Sequence, residues 1–391
     1  MSDFAAAIDA VTPGELRARG SRKWTVPAEG EIGAFIAEMD FGVAPAISAA
    51  VEKLLADGNT GYLPHWMESD FASACADFQR TQFGWSVDPS GVHSVSDVLK
   101  VLEVALEYFV RPGGAVILPT PAYMPFFEVP PAHGRRIIEV PCHAENGYYT
   151  LDLDGIDAAF EAGGELLVLC NPHNPVGRVL SREELVAVCE IVDRHGGRVF
   201  ADEIHAPLTY PDSPPHTPYA SISDVAAGHT LTGMSGSKAF NLPGLKCAAA
   251  IVSNERDARI WRTLPGVVTH SAATIGVAAN IAAYRDGGPW LDDVRSYLAG
   301  NRALFVELVA RELPGVRVRP PDGTYLAWVD FRALELSAPV GDWVHHNAGV
   351  VLNEGATFGA PGAGFARLNM ATPRPILVEI VNRIAAAIAK R

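Results

Sequence analysis

No two of the five cysteines (Cys75, Cys142, Cys170, Cys189 and Cys247) form a C-x-x-C pair, and their number is odd. A disulfide framework or a cysteine-ligated metal site is therefore not expected, and the thiols read as reduced core residues of a cytoplasmic protein. Long apolar runs are missing too, and none approaches the roughly 20 residues that span a bilayer. The opening MSDFAAAIDAVTPGELRARG has acidic residues and only a short apolar stretch, so it is not expected to act as a signal peptide. Positive charge is also scarce. Lys and Arg number 31 against 45 Asp and Glu, a formal net charge of −14. That argues against a nucleic-acid partner, which needs clustered cations, and gives no support for an anionic membrane surface. Repeats, heptads and low-complexity segments are absent.

What is present suits a compact globule: 391 residues, 48% hydrophobic and 19% charged. That length exceeds one small core and predicts two domains. Between about residues 95 and 252, helical patterns alternate with short apolar strands, the mark of an α/β layer with a largely parallel sheet. Asp97 to Val110 has helical spacing and stops at Arg111-Pro112-Gly113-Gly114. Strands are expected at Ala115–Leu118, Leu166–Cys170, Arg198–Ala201 and Cys247–Val252. A capping box, Ser181 with Glu184, opens another helix. From about residue 285 the texture changes to a long helical stretch, short strands at 316–318 and 325–331, and a terminal helix. The expected division is a large domain over 45–284 and a smaller α+β domain from 285–391 with the segment 1–44.

Four polar clusters fall just after predicted strands, where open α/β sheets bind ligands. They are Thr120-Pro121-Ala122-Tyr123, Asn171-Pro172-His173-Asn174-Pro175-Val176-Gly177, Asp202-Glu203-Ile204-His205 and Ser235-Gly236-Ser237-Lys238. Singly each has a bland reading: a turn, a helix cap or a solvated charge. Their joint order is more specific, with Asp202 following Asn174 by 28 residues and Lys238 following Asp202 by 36.

With Lys23-Trp24, Ala37-Glu38-Met39-Asp40-Phe41, Ser237-Lys238-Ala239-Phe240-Asn241-Leu242-Pro243-Gly244-Leu245 and Phe365-Ala366-Arg367-Leu368-Asn369-Met370-Ala371-Thr372-Pro373-Arg374, these motifs span about residue 20 to the end. Over that length the chain resembles a fold-type I pyridoxal 5′-phosphate (PLP) enzyme of the class I/II aminotransferase superfamily. More narrowly, the chain is similar to the cystathionine β-lyase or cysteine–sulfur β-lyase branch. The resemblance implies an α/β fold whose large domain holds a mostly parallel seven-stranded sheet. It also implies a homodimer with shared active sites.

It assigns roles residue by residue. Lys238 would bond the PLP aldehyde and shuttle the substrate's α-proton. Asp202 would keep the pyridine nitrogen protonated, and Tyr123 would stack on the ring. Asn174 would bond the ring hydroxyl oxygen with His205 close by, although a purely structural His205 stays open. The phosphate would meet Val95 and Ser96, then Ser235, Ser237 and Lys246, and Tyr62 of the neighbouring subunit. Arg367 would fork onto the substrate α-carboxylate, with Glu38 and Met39 beside it. Two departures stand out. Lys246 occupies a place where many aminotransferases have Arg, and Asp97 is awkward beside a phosphate unless it only caps the helix. Ala34-Phe35-Ile36 also replaces a Trp-containing stretch common in relatives, which leaves the group beyond the substrate's sulfur undefined.

All these residues serve α-proton removal, a step that β-lyases and aminotransferases share. The branch motifs favour α,β-elimination from S-substituted cysteines. Transamination is the alternative, and a lyase with an added protein-binding regulatory role is a third.

Overall fold

Seven segments pair into a central sheet: β1 (Val92–Val95), β2 (Ala115–Thr120), β3 (Ile137–Pro141), β4 (Gly164–Cys170), β5 (Arg198–Asp202), β6 (Thr230–Met234) and β7 (Ala248–Val252). The structure is a computed structural model that describes residues 3–391. Strand order is β1-β7-β6-β5-β4-β2-β3, and only β7 runs against its neighbours. The inner strands are apolar nearly throughout because helices cover both faces. Successive side chains point to opposite faces. Val116, Leu118, Leu166 and Val168 therefore pack with the helix Val98–Val104. Ile117, Leu167 and Leu169 pack with Leu185, Val188 and Val192 of the helix Arg182–Arg194. The capping box of that helix forms as the sequence predicts, with Ser181 and Glu184 each bonding the other's backbone amide.

Strands β1, β3 and β6 escape the sequence reading. β1 is four residues long with His93 and Ser94 in its middle, and it is defined by antiparallel pairing of Val95 with Ala248. Ser94 and Val95 thus close a strand. The loop proper is Ser96-Asp97, and Asp97 is the N-cap of the following helix. That helix ends in a π-helical turn over Ala105–Phe109.

A second, antiparallel sheet contains β8 (Arg317–Val318), β9 (Leu326–Asp330), β10 (Asn353–Glu354) and β11 (Phe365–Asn369), in the order β8-β9-β11-β10. Phe305 and Leu308 of the helix Gly288–Glu312 and Leu377, Ile380 and Ile384 of the helix Arg374–Ala389 form its core. Leu16, Trp24, Ile32 and Ala34 join that core, whereas Ala5, Ile8, Met39 and Phe41 pack against the large-sheet side with Met234 and Ala249. The N-terminal segment straddles the two sheets, and a buried polar knot anchors it. Lys23 Nζ lies 2.8 Å from Asp40 Oδ2, Trp24 Nε1 donates to Asp40 Oδ1 at 2.8 Å, and Lys23 also donates to Ala371 O at 3.2 Å. No helix among the described residues is long and apolar enough to cross a membrane.

Candidate active site

Parallel register sets the geometry. Cys170 of β4 lies opposite Asp202 of β5, and Asp202 lies opposite Gly233 of β6. The carboxyl ends of three strands therefore converge, and the loops leaving them carry Asn174, Asp202 with His205, and Lys238.

Lys238 sits on a short helix, Gly236–Ala239, whose start is held on three sides. Ser235 Oγ accepts the Ser237 N–H at 3.0 Å and donates to Cys247 O at 2.7 Å. The Gly236 N–H donates to Asn280 Oδ1 at 2.9 Å, and a Cβ at Gly236 would lie 2.8 Å from that same oxygen. Glycine is thus required by close approach. The Lys238 ammonium donates to Ala37 O at 3.1 Å. Burial first, then repulsion from Arg367, push its pKa down to about 8. Glu38 and Asp202 oppose that shift.

Asp202 is buried, and the hydrogen bond made to its carboxylate comes from the Ile204 N–H at 3.2 Å. Burial raises its pKa to about 7 against the pull of Lys238. His205 is buried with Nδ1 unpartnered. Its pKa is held well below the usual imidazole range by burial and by the Lys238 and Arg367 charges. Tyr123 packs edge-on against Phe126, and burial raises its phenol pKa.

Arg367 comes from the second sheet. Its guanidinium donates to Asn174 Oδ1 at 3.0 Å, Phe35 O at 3.1 Å and Asn353 Oδ1 at 2.6 Å. Every acceptor is neutral, so a buried positive charge stands without a counter-ion, and burial lowers its pKa to about 10. Asn174, by accepting from Arg367, turns its amide NH₂ away from that bond. Tyr325 Oη donates to Ala37 O at 2.9 Å, the carbonyl that also holds Lys238.

Other expected residues lie around this centre in different states. Met39 is buried, with its N–H bonded to Asn241 Oδ1 at 2.9 Å. Glu38 offers its backbone oxygen to Asn369 Nδ2 at 2.6 Å. Val95 is fully buried in the core and pairs with Ala248 in the sheet. The Ser96 N–H is taken by Ser271 Oγ at 3.0 Å, and Lys246 pairs with Asp97 at 3.0 Å. Tyr62 is fully exposed and borders a groove of about 490 Å³ with Ser94 and His270, apart from its own chain's Lys238. Sequence reasoning missed Asn353, Asn280, Ser271 and Tyr325, whose significance comes only from the partner each meets.

The buried polar atoms without partners include His205 Nδ1 and Arg367 Nε. Unpartnered buried polar groups are costly, and these two suit a site completed by a polar ligand. A desolvated amine, a buried carboxylate, a ring to stack upon and an uncompensated guanidinium together fit PLP and an amino acid.

The family model for aminotransferases of class I and II matches residues 36–384, and the chain belongs to that family. Cystathionine beta-lyase of Corynebacterium glutamicum is 36% identical over 379 residues, 96% of this chain and 98% of that protein. A Corynebacterium diphtheriae structure, provisionally described as a PLP-dependent beta-cystathionase, superposes with a TM-score of 0.93 at 36% identity, covering 97% and 98% of the two chains. Cystalysin from Treponema denticola, whose crystal structure contains PLP, gives a TM-score of 0.91 at 27% identity, covering 100% and 99%.

Proposed function

We propose that this chain is a PLP-dependent carbon–sulfur β-lyase that cleaves cystathionine or related S-substituted cysteines to pyruvate, ammonia and a thiol. Its similarity to a cystathionine beta-lyase, 36% identical over 96% of the chain, carries the reading. When bound, PLP supplies an electrophilic carbonyl and a conjugated ring that takes up the electron pair released at the substrate Cα.

The chain's own residues do the rest. Lys238, with its pKa lowered to about 8, is partly unprotonated near neutral pH and so can take the α-proton and return it. Asp202 holds a proton at the ring nitrogen; a protonated nitrogen beside it also relieves its buried charge. Asn174, its oxygen engaged by Arg367, would offer its amide NH₂ to the ring oxygen, with His205 beside it. Tyr123 would stack on the ring. Ser96, Ser237 and Lys246 would hold the phosphate. Ser235 acts mainly by fixing the lysine loop, since its hydroxyl proton is engaged by Cys247 O. Arg367 orients the α-carboxylate beside Glu38 and Met39, which aligns the Cβ–S bond for loss of the thiolate. What remains of the amino acid hydrolyses to pyruvate and ammonia.

The functional unit is a homodimer in which Tyr62 reaches the partner's phosphate site. The exposed Leu55, Tyr62, Trp66 and Val267 support such a contact. Five free thiols suit a cytoplasmic setting.

The test compares pyruvate release from cystathionine and S-methylcysteine with keto-acid-dependent amino transfer from alanine, aspartate and aromatic amino acids. Elimination is expected to be faster. Faster transfer with no pyruvate from any thioether would assign the chain as an aminotransferase instead.

A further inference from the structure

The pairings Val95 with Ala248 and Met234 with Ala249 bring three loop segments to one edge of the sheet: Ser96-Asp97, Lys246-Cys247 and Ser235–Lys238. This is the cradle that the PLP reading gives to the phosphate, and it contains a carboxylate. Asp97 uses both its oxygens. Oδ1 accepts the Lys100 N–H at 2.9 Å, and Oδ2 accepts from Lys246 Nζ at 3.0 Å. The first bond caps a helix and needs no charge. The second neutralises the cradle's cation. The Lys246 backbone is fixed, with φ at 51° and its carbonyl accepting the Ala273 N–H at 3.0 Å, so its side chain leaves from a set point beside Asp97.

We infer that Asp97 is a built-in counter-ion that holds Lys246 until a phosphate displaces it, and that its charge limits how tightly the cofactor's phosphate end is held. The inference rests on the PLP reading. A phosphate monoester carries between one and two negative charges near neutral pH, so it meets the cradle's carboxylate as a like charge. Capping alone does not explain an acid here, since Asn or Ser caps as well. The pair is partly exposed, 60% at Lys246 and 40% at Asp97, so solvent screens the repulsion. The effect on affinity is then expected to be about five- to twentyfold.

The test titrates cofactor-free dimer with PLP and with pyridoxal, which lacks the phosphate, followed by absorbance and tryptophan fluorescence. Asp97→Asn, which keeps the cap, should bind PLP about five- to twentyfold more tightly, with pyridoxal affinity unchanged and a gain that shrinks in high salt. Asp97→Ser serves as a second neutral cap should Asn pack poorly. Thermal melts and circular dichroism confirm that each variant is folded. Neutral variants that are folded yet bind PLP no tighter than wild type would overturn the inference. So would an equal gain for pyridoxal, because that would not act through the phosphate. Wild-type protein that binds neither compound would overturn the cofactor reading and this inference together.

Discussion

At the residue scale, the site gathers ionisable groups that burial pushes towards neutrality. Asp202 is raised to about 7 and Lys238 is lowered to about 8. Their signs differ in consequence. Asp202 has a folded pKa above its unfolded value near 4. Its stabilising contribution is complete below about pH 4 and is lost as pH rises towards 7. Lys238 has a folded pKa below its unfolded value near 10.4, so its contribution is present above that pH and is lost as pH falls through 8. In cofactor-free protein Asp202→Asn should therefore raise the melting temperature above pH 7, by an amount worth a few kcal/mol. The advantage should vanish as pH approaches 4. The same substitution should lower turnover of the loaded enzyme by orders of magnitude, because a neutral amide holds no proton at the ring nitrogen. Melting curves across pH and steady-state kinetics check the two halves. Near-normal kcat in Asp202→Asn would show that another group serves the ring nitrogen.

At the element scale, function depends on short pieces whose position is set by neighbours. The four-residue helix bearing Lys238 cannot be stable alone. It is held by Ser235, Cys247 O and Asn280. The N-terminal segment is likewise held by the buried Lys23–Asp40 pair with Trp24, and its Ala37 carbonyl meets both Lys238 and Tyr325. Removing one partner of a buried ion pair leaves the other charge uncompensated, which costs about 3–5 kcal/mol. Lys23→Met should lower unfolding stability by that order, and denaturant unfolding measures it. Because Asp40 lies two residues from Glu38, KM should rise as well. A variant with unchanged midpoint and unchanged kinetics would show that the knot contributes nothing. Ser181-Glu184 and Asn171 to Gly177 were legible because they act through residues close in sequence. Asn353 was not, since its importance comes from lying opposite Arg367 in an antiparallel pair.

At the scale of the whole molecule, two sheets meet over one site, and Arg367 crosses from the second to bond Asn174 on the first. Relative motion of the two layers would move Arg367 against the loops that carry Asn174, Asp202 and Lys238, so their packing sets the geometry of the candidate site. A single chain leaves Tyr62 fully exposed, on a groove that its own Lys238 does not line. Sedimentation is expected to show a dimer at micromolar concentration. Tyr62→Ala should keep that dimer while losing PLP more readily on dialysis. A monomer with full activity would rule out a shared site.

The sequence by itself determined the α/β class and the family, and it named Lys238, Asp202, Asn174, Tyr123 and Arg367 as candidates that the fold brings together. Those features depend on local periodicity and on motifs whose members are strung in a characteristic order. Tertiary structure alone decided the placement of β1, the straddling of the N-terminal segment, and the ring of neutral acceptors around Arg367. It also decided the fate of Asp97 and Lys246, 149 positions apart yet joined in one ion pair. The physical reason is the same throughout. A cap, a counter-ion or an unpartnered nitrogen is defined by what lies within about 3 Å of it, and sheet register sets that distance.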